Sequence, residues 1–541
     1  MTKADLLLSS HHVFTGLQDE PIPAAIAVTN NIITAIGTKE ELQDCIGENT
    51  KVYDMEDELI LPGFHDFHMH IMMGSIMEKE SVSLFNTKSA AEVAEMVAGF
   101  AEKRPGDDWI IGIGWDHTSW DQKELPHRRV LDSYIADRPV LLFNAEVHYA
   151  WINSKAMEVI QLTEENPNPE YGEIGKDEYG QVTGILFEHA MGYATDYAYQ
   201  MSKEERVQLL QGFLNETAKF GITSVNDLYG AKIAPNQLED IELFSEFEQD
   251  GRLTTRIHFS PELRNDLKEA QQLHAKYHSP CLSLSGLKQF IDGVVTGHTA
   301  FLLEPYLDSS ETRGGTTQSP EKIKAIVKQA DKQGFQIRFH AIGNAAVRLA
   351  LDAFEEARGE NGSRDSRHVI EHVEVLHPDD IYRFKELGVI ASFQPYHIGL
   401  MESQAYTSRI SEQQQPLYYP IKTVSDTGAK IAFGTDFPVV SLNPMNGIYH
   451  AITREDLSRN PWEKGEGISL AQALKNYTSV PAYGSFREKE LGTLEVGKLA
   501  DIVVLNKNLF AIPTKEILQT EVKLTIMDGK VIFENQSVPT V

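Results

Sequence analysis

From residue 221 onward the chain repeats one alternation, a short β-rich run followed by a helical run, and that rhythm restricts the fold more than any other feature. The runs GITSVNDL (221–228), TTRIHFS (254–260), LKQFIDGV (287–294), FQIRFHAI (335–342), SRHVIEHV (366–373), GVIASFQP (388–395) and AKIAFGTD (429–436) read as strands. Between them lie helical runs such as PEKIKAIVKQADKQG and PDDIYRFKELG. Each has Pro near its start and Gly at its end, as helix capping favours. The earlier stretch LPGFHDFHMH (61–70) brings the candidate strands to eight. Alternating βα units of that number predict an α/β fold of the (β/α)8 barrel type, with a doubly wound open sheet as the alternative.

Both ends of the chain differ from this middle. AIAVTNNIITAIGT predicts a hairpin turning at Asn30-Asn31, and VKLTIMDGKVIFEN one turning at Asp528-Gly529. Residues 1–60 and 490–541 are therefore expected to form one small composite β domain, with the barrel over 61–489. Residues about 75–200 interrupt the alternation and carry Trp109, Trp115, Trp120 and Trp151, four of the five tryptophans. They read as a large insertion after the first barrel strand, folded over the barrel mouth.

Composition narrows the function. The net charge of -30 argues against nucleic acid or an anionic membrane as partner and leaves a small molecule. The two cysteines, Cys45 and Cys281, form no CxxC pair, which fits a reducing cytoplasm and offers no thiolate metal site. The opening MTKADLLLSSHHVFTG has only a three-leucine run, too short for a signal segment, and no apolar run approaches the roughly 18 residues of a membrane span. A homo-oligomer stays open.

Barrel enzymes place their chemistry at the C-terminal ends of the strands. Here the first strand ends in His68 and His70, the fourth contains Lys288 followed by Asp292, and the fifth ends in His340. The sixth ends in His372 and the eighth in Asp436. Nineteen randomly scattered histidines would seldom fall so. Residues two apart on a strand share a side, so His68 and His70 read as a chelating pair with Asp66 beside them. By the same parity His65 and Phe67 should point away, His65 toward the surrounding helices. Lys288 has two possible fates among such ligands. It turns away to bond a carboxylate, or it adds carbon dioxide and becomes an anionic carbamate able to bridge two ions. Asp436, in GTDFPV, could both bind metal and take a proton from metal-bound water.

These motifs resemble the amidohydrolase superfamily, in particular its amidohydrolase-3 branch, which includes N-substituted formamide deformylases. The match runs through PGFHDFHMH, GWDHTSW, TGILFEHA, LKQFIDGVVTGHTAFLLEPY, FHAIGNAAVR, GTDFPV and LGTLEVGKLADIVVL. The resemblance implies His68 and His70 on one metal, His340 and His372 on a second, Lys288 as a carboxylated bridge, and Asp436 as ligand and general base. It sets His148 toward the substrate, with Trp115 on the same side, and Glu188 near the site as a substrate contact or an additional ligand. It implies one or two divalent ions, zinc foremost, and hydrolysis of a non-peptide C–N bond in an amide or an N-acyl or N-formyl amine. A mononuclear aminohydrolase acting on a ring amidine and a non-catalytic metal-binding protein are the competing readings. His65, Phe67, the stretch NAEVHYAW and Asn344 depart from the usual pattern, which puts pocket shape in question more than catalysis.

Overall fold

A computed structural model describes residues 3–535 except 105, 107, 231–236 and 415. All eight expected strands form: β1 (Phe64–Met69), β2 (Ile222–Leu228), β3 (Arg256–Ser260), β4 (Leu287–Phe290), β5 (Ile337–Ala341), β6 (Val369–His372), β7 (Ile390–Phe393) and β8 (Ile431–Phe433). The architecture is mixed α/β. Strands β1–β2–β3 pair in parallel, extended by a short strand at Leu282–Leu284, and β4–β5–β6–β7–β8 form a second parallel sheet. The two sheets meet along both edges through parallel bridges, Met69 to Phe437 and Glu262 to Lys288.

The helices obey the signals read from the sequence. In Pro320–Lys332 the Ser319 side chain accepts the Lys322 N–H, and Pro occupies the first turn. Ile323, Ile326, Val327 and Ala330 form its buried stripe, with the three- and four-residue spacing of an amphipathic helix. No helix of the described residues is long and apolar enough to cross a membrane.

Strands from the two ends share one eight-stranded sheet. Leu59–Pro62 from the N-terminal part pairs antiparallel with Ile502–Leu505 from the C-terminal part. The last hairpin turns at Asp528 and Gly529, at φ 53° and 71°, where the Asn/Asp-Gly preference of such turns resides. Asp528 also ties this sheet to the parallel one. Fully buried Arg256 on β3 reaches Asp501 Oδ2 at 2.9 Å, Asp501 Oδ1 at 3.1 Å and Asp528 Oδ1 at 3.0 Å. Removing one partner of a buried ion pair typically costs about 3–5 kcal/mol, because the other charges stay behind uncompensated. Arg256→Met is therefore expected to lower unfolding stability by about that much in a denaturant titration. An unchanged midpoint would mean that the pair contributes nothing net.

The insertion builds its own six-stranded sheet between Ser81 and Glu188, in the order Gly172–Lys176, Val182–Glu188, Tyr149–Ile152, Val140–Asn144, Ile110–Trp115, Ser81–Ser83. Trp115, Trp120 and Trp151 fill its core.

The first strand departs from strict alternation. Val225 pairs with Asp66, but Asp227 pairs with Met69, so β1 spends three steps where β2 spends two. This extra residue is a β-bulge, and it reverses side-chain parity within the strand. The parity expectation is corrected accordingly. His65 does not face the helices. Its Nε2 lies 2.7 Å from Asn226 Oδ1 on β2, and its ring stacks on His258 of β3 at 5.3 Å. Phe67 packs against Val369, Ile390 and Ala432 on β6, β7 and β8, across the interior between the sheets. Past the bulge, His68 and His70 take over the inward direction. Asp66 does not sit beside their imidazoles. It accepts the Thr435 N–H at 3.0 Å, the Thr435 hydroxyl at 2.6 Å and the His68 N–H at 3.1 Å, and so pins β1 to the end of β8.

Candidate active site

Strand ends bring His68, His70, Lys288, His340, His372 and Asp436 together, all buried. Asp436 Oδ1 lies 3.2 Å from His68 Nε2 and 3.1 Å from His70 Nε2. The three offer ligand atoms within 4.8 Å of one another. The backbone has to approach closely here. A Cβ on Gly434, two residues before Asp436, would lie 2.5 Å from the His68 nitrogen, which explains the glycine of the GTD motif.

The ring nitrogens facing away from Asp436 are already committed. His70 Nδ1 donates to the Leu228 carbonyl at 2.8 Å, and His68 Nδ1 pairs with Glu371 Oε2 at 3.0 Å. Since a carbonyl only accepts, His70 must carry its proton on Nδ1, and its Nε2 lone pair is left for a ligand. Glu371 does the same for His68, and it is itself fixed by Arg338 Nε at 2.7 Å. The Arg338 guanidinium also donates to the Phe67 carbonyl at 2.6 Å and lies 4.1 Å over the Phe67 ring. The large residue at position 67 thus braces the side chain that holds Glu371. The sequence reading missed Glu371. Its available signal was adjacency to His372, which strand parity assigned to the opposite side.

His372 adopts φ 76°, and its ring centre lies 4.4 Å from that of His340 and 5.0 Å from that of His68. His340 Nε2 is 3.3 Å from the Gly293 carbonyl. His372 also shares ligand-competent geometry with Glu374 and His397, two further residues that the sequence reading did not single out. His372, Asp436 (φ 58°) and Glu188 (φ 49°) all hold the positive φ that non-glycine residues avoid. Such strain concentrates where function requires a fixed side-chain direction.

Lys288 is fully buried, with Nζ 5.0 Å from the Phe290 ring centre and no hydrogen-bond partner among the described residues. Of its two possible fates, turning away to bond a carboxylate is not what the structure shows. Burial pushes its ammonium down to about 8, against the pull of Glu371 and Asp436. His148 takes the opposite course. Burial would lower it, but the charge and hydrogen bond of Glu188, at 2.9 Å from Nδ1, raise it to about 9. The His148 ring centre lies 5.0 Å from that of His340.

His372 Nδ1, His397 Nε2, Glu188 Oε1 and Lys288 Nζ are buried polar atoms without hydrogen-bond partners among the described residues. Unmet buried groups cost stability. The concentration of the first three beside imidazoles and a carboxylate fits a divalent cation, whose preferred donors are imidazole nitrogens and carboxylate oxygens.

A family model described as the amidohydrolase family matches residues 51–533. The chain belongs to the amidohydrolase family. It is 29% identical over 538 residues to Protein LONG AFTER FAR-RED 3 of Arabidopsis thaliana, over 98% of this chain and 92% of that protein. It is 25% identical over 557 residues to the N-substituted formamide deformylase of Arthrobacter pascens, over 98% of each. An uncharacterized metal-dependent hydrolase from Pyrococcus furiosus superposes with a TM-score of 0.69 at 26% identity, over 93% of this chain and 99% of that one. The protein is a hydrolase of carbon–nitrogen bonds in a metal-dependent family.

In this amidohydrolase the insertion completes the site. His148 and Glu188 line a small cavity of about 40 Å³ together with His68, His70, His340, His372 and Asp436. Trp115, expected on the substrate side, is corrected. It lies in the insertion core with Nε1 donating to the Leu142 carbonyl at 2.9 Å, among Trp120, Tyr149 and Trp151. On its strand Trp115 points inward to that core, while its neighbours Gly114 and Asp116 line a second cavity. Asp292 is likewise no ligand. Its carboxylate accepts the N–H groups of Phe301, Ile342 and Gly343 and so fixes the loops after β4 and β5.

Proposed function

We propose that this amidohydrolase hydrolyses the C–N bond of an amide or an N-acyl or N-formyl amine at a divalent metal centre, with zinc as the first candidate ion. The centre would sit at the mouth of a closed (β/α)8 barrel that carries a composite β domain from residues 1–60 and 490–541. The observation that carries this reading is the set His68, His70 and Asp436, with the outer imidazole nitrogens already committed to Glu371 and to the Leu228 carbonyl.

His68, His70, His340, His372 and Asp436 would hold the metal. When bound, a divalent ion polarises a carbonyl and makes water more acidic. The remaining steps belong to the chain. Lys288 Nζ, unpartnered and desolvated, would attack carbon dioxide and lose a proton, giving an anionic carbamate with two ligand oxygens. Asp436 would take the proton of the attacking water and return it to the leaving nitrogen. His148, kept charged by Glu188, would donate a hydrogen bond to the substrate oxygen as negative charge grows there.

Chelation is the direct test. Treatment with a strong chelator should abolish hydrolysis of a panel of N-formyl and N-acyl amines, and added zinc or another divalent ion should restore it. Full turnover by a chelated, metal-free preparation would remove the metal from the mechanism.

A further inference from the structure

Beside the small cavity lies a larger one of about 410 Å³. The two share Glu146 and Val439 in their walls, so they adjoin. The volume lies within the roughly 300–1,000 Å³ that accommodates a compact organic ligand. Met77, Phe85, Ile113, Tyr396, Met401 and Phe437 supply mostly apolar walls, and no role in the chemistry proposed above uses them. The charged groups on the lining are uneven in sign. Glu78, Asp116 and Glu146 are acidic, and Lys88 is the one cation among the described lining residues.

Glu146 stands where the cavities meet, with Oε2 accepting the Thr296 hydroxyl. Burial raises its carboxyl to about 7, with Glu374 and Asp116 adding to the rise against Thr296 and His148. A carboxyl in such surroundings gains most from an incoming cation, which restores its ionised form. In the adjoining small cavity, Glu188 Oε1 is buried and has no hydrogen-bond partner among the described residues.

We propose that this chamber receives the amine half of the substrate, an apolar aryl or alkyl portion that carries a cationic nitrogen, and that Glu146 selects for that nitrogen. The proposal rests on the hydrolytic reading above and narrows its substrate class. An anionic amine portion, such as that of an N-acyl amino acid, meets three carboxylates and is rejected.

The test uses three N-formyl arylalkylamines that differ in one substituent on the alkyl chain: ammonium, methyl or carboxylate. The native enzyme should show kcat/KM in that order, with at least about tenfold between ammonium and methyl, the scale of one charge-assisted hydrogen bond. Glu146→Gln should compress the ammonium-over-methyl ratio by about the same factor, and Glu146→Asp, which keeps the charge, should retain the preference. Equal kcat/KM for the three compounds, or a ratio that survives Glu146→Gln in folded protein, would overturn the assignment. If none of the three turns over, the hydrolytic reading fails on its own account. Calorimetric binding of the same compounds then decides the chamber: tightest binding of the ammonium compound supports it, and charge-independent binding refutes it.

Discussion

Asp436→Asn is expected to lower kcat by about 10²–10⁴-fold, the range that a positioned general base contributes, while metal content stays near that of the native enzyme. The amide keeps an oxygen able to ligate an ion beside His68 Nε2 and His70 Nε2, which lie 3.2 and 3.1 Å from Asp436 Oδ1 in the native chain, but it cannot accept a proton. In the native protein burial would push the Asp436 carboxyl up. The imidazoles of His68, His70 and His372 beside it outweigh that and hold the group well below the usual carboxylate range. The group is therefore ionised and able to act as a base throughout the neutral range. Steady-state kinetics with metal analysis on the same sample checks this, and native-like turnover in Asp436→Asn would end its assignment as base.

Lys288→Met should lower turnover by about 10³-fold, equivalent to roughly 4 kcal/mol of lost charge stabilisation. The thioether is of similar length and apolar, so it suits the fully buried slot beside Phe290 and spares the fold. What it removes is the amine that would carry the carbamate. Native mass spectrometry in bicarbonate should find the wild-type chain heavier by one carbon dioxide and the variant without it, and metal content should fall in the variant. Unchanged metal content and activity would assign Lys288 to packing alone.

Much of this site was legible in the sequence because ligand chemistry and strand position are local. His68, His70, His340, His372 and Asp436 were each expected at a strand end, and each lines the same cavity. The errors came from treating a strand as a perfect two-residue repeat. The register with β2 shifts twice, between Phe64 and His65 and between Asp66 and Met69, and His65 and Phe67 face inward while Asp66 meets Thr435. Such a bulge is defined by its pairing with β2, whose Val225 and Asp227 lie 159 and 158 positions from Asp66 and Met69. Trp115 failed for a related reason: a tryptophan in a motif marks a position, but which side of the insertion sheet it fills depends on what packs there.

By itself the sequence determined the strand–helix alternation, the turn at Asp528-Gly529 and the residue types of the candidate site. These follow from period, turn chemistry and donor atoms, all read over a few residues. Only the tertiary structure decided how the centre is held and what it faces. Glu371 reaches His68 across 303 positions, Arg338 braces Glu371 over the Phe67 ring, and Glu146 stands between the two cavities. Those relations depend on which faces meet after folding, and hydrophobic burial chooses the faces through the whole packed interior rather than through any one segment.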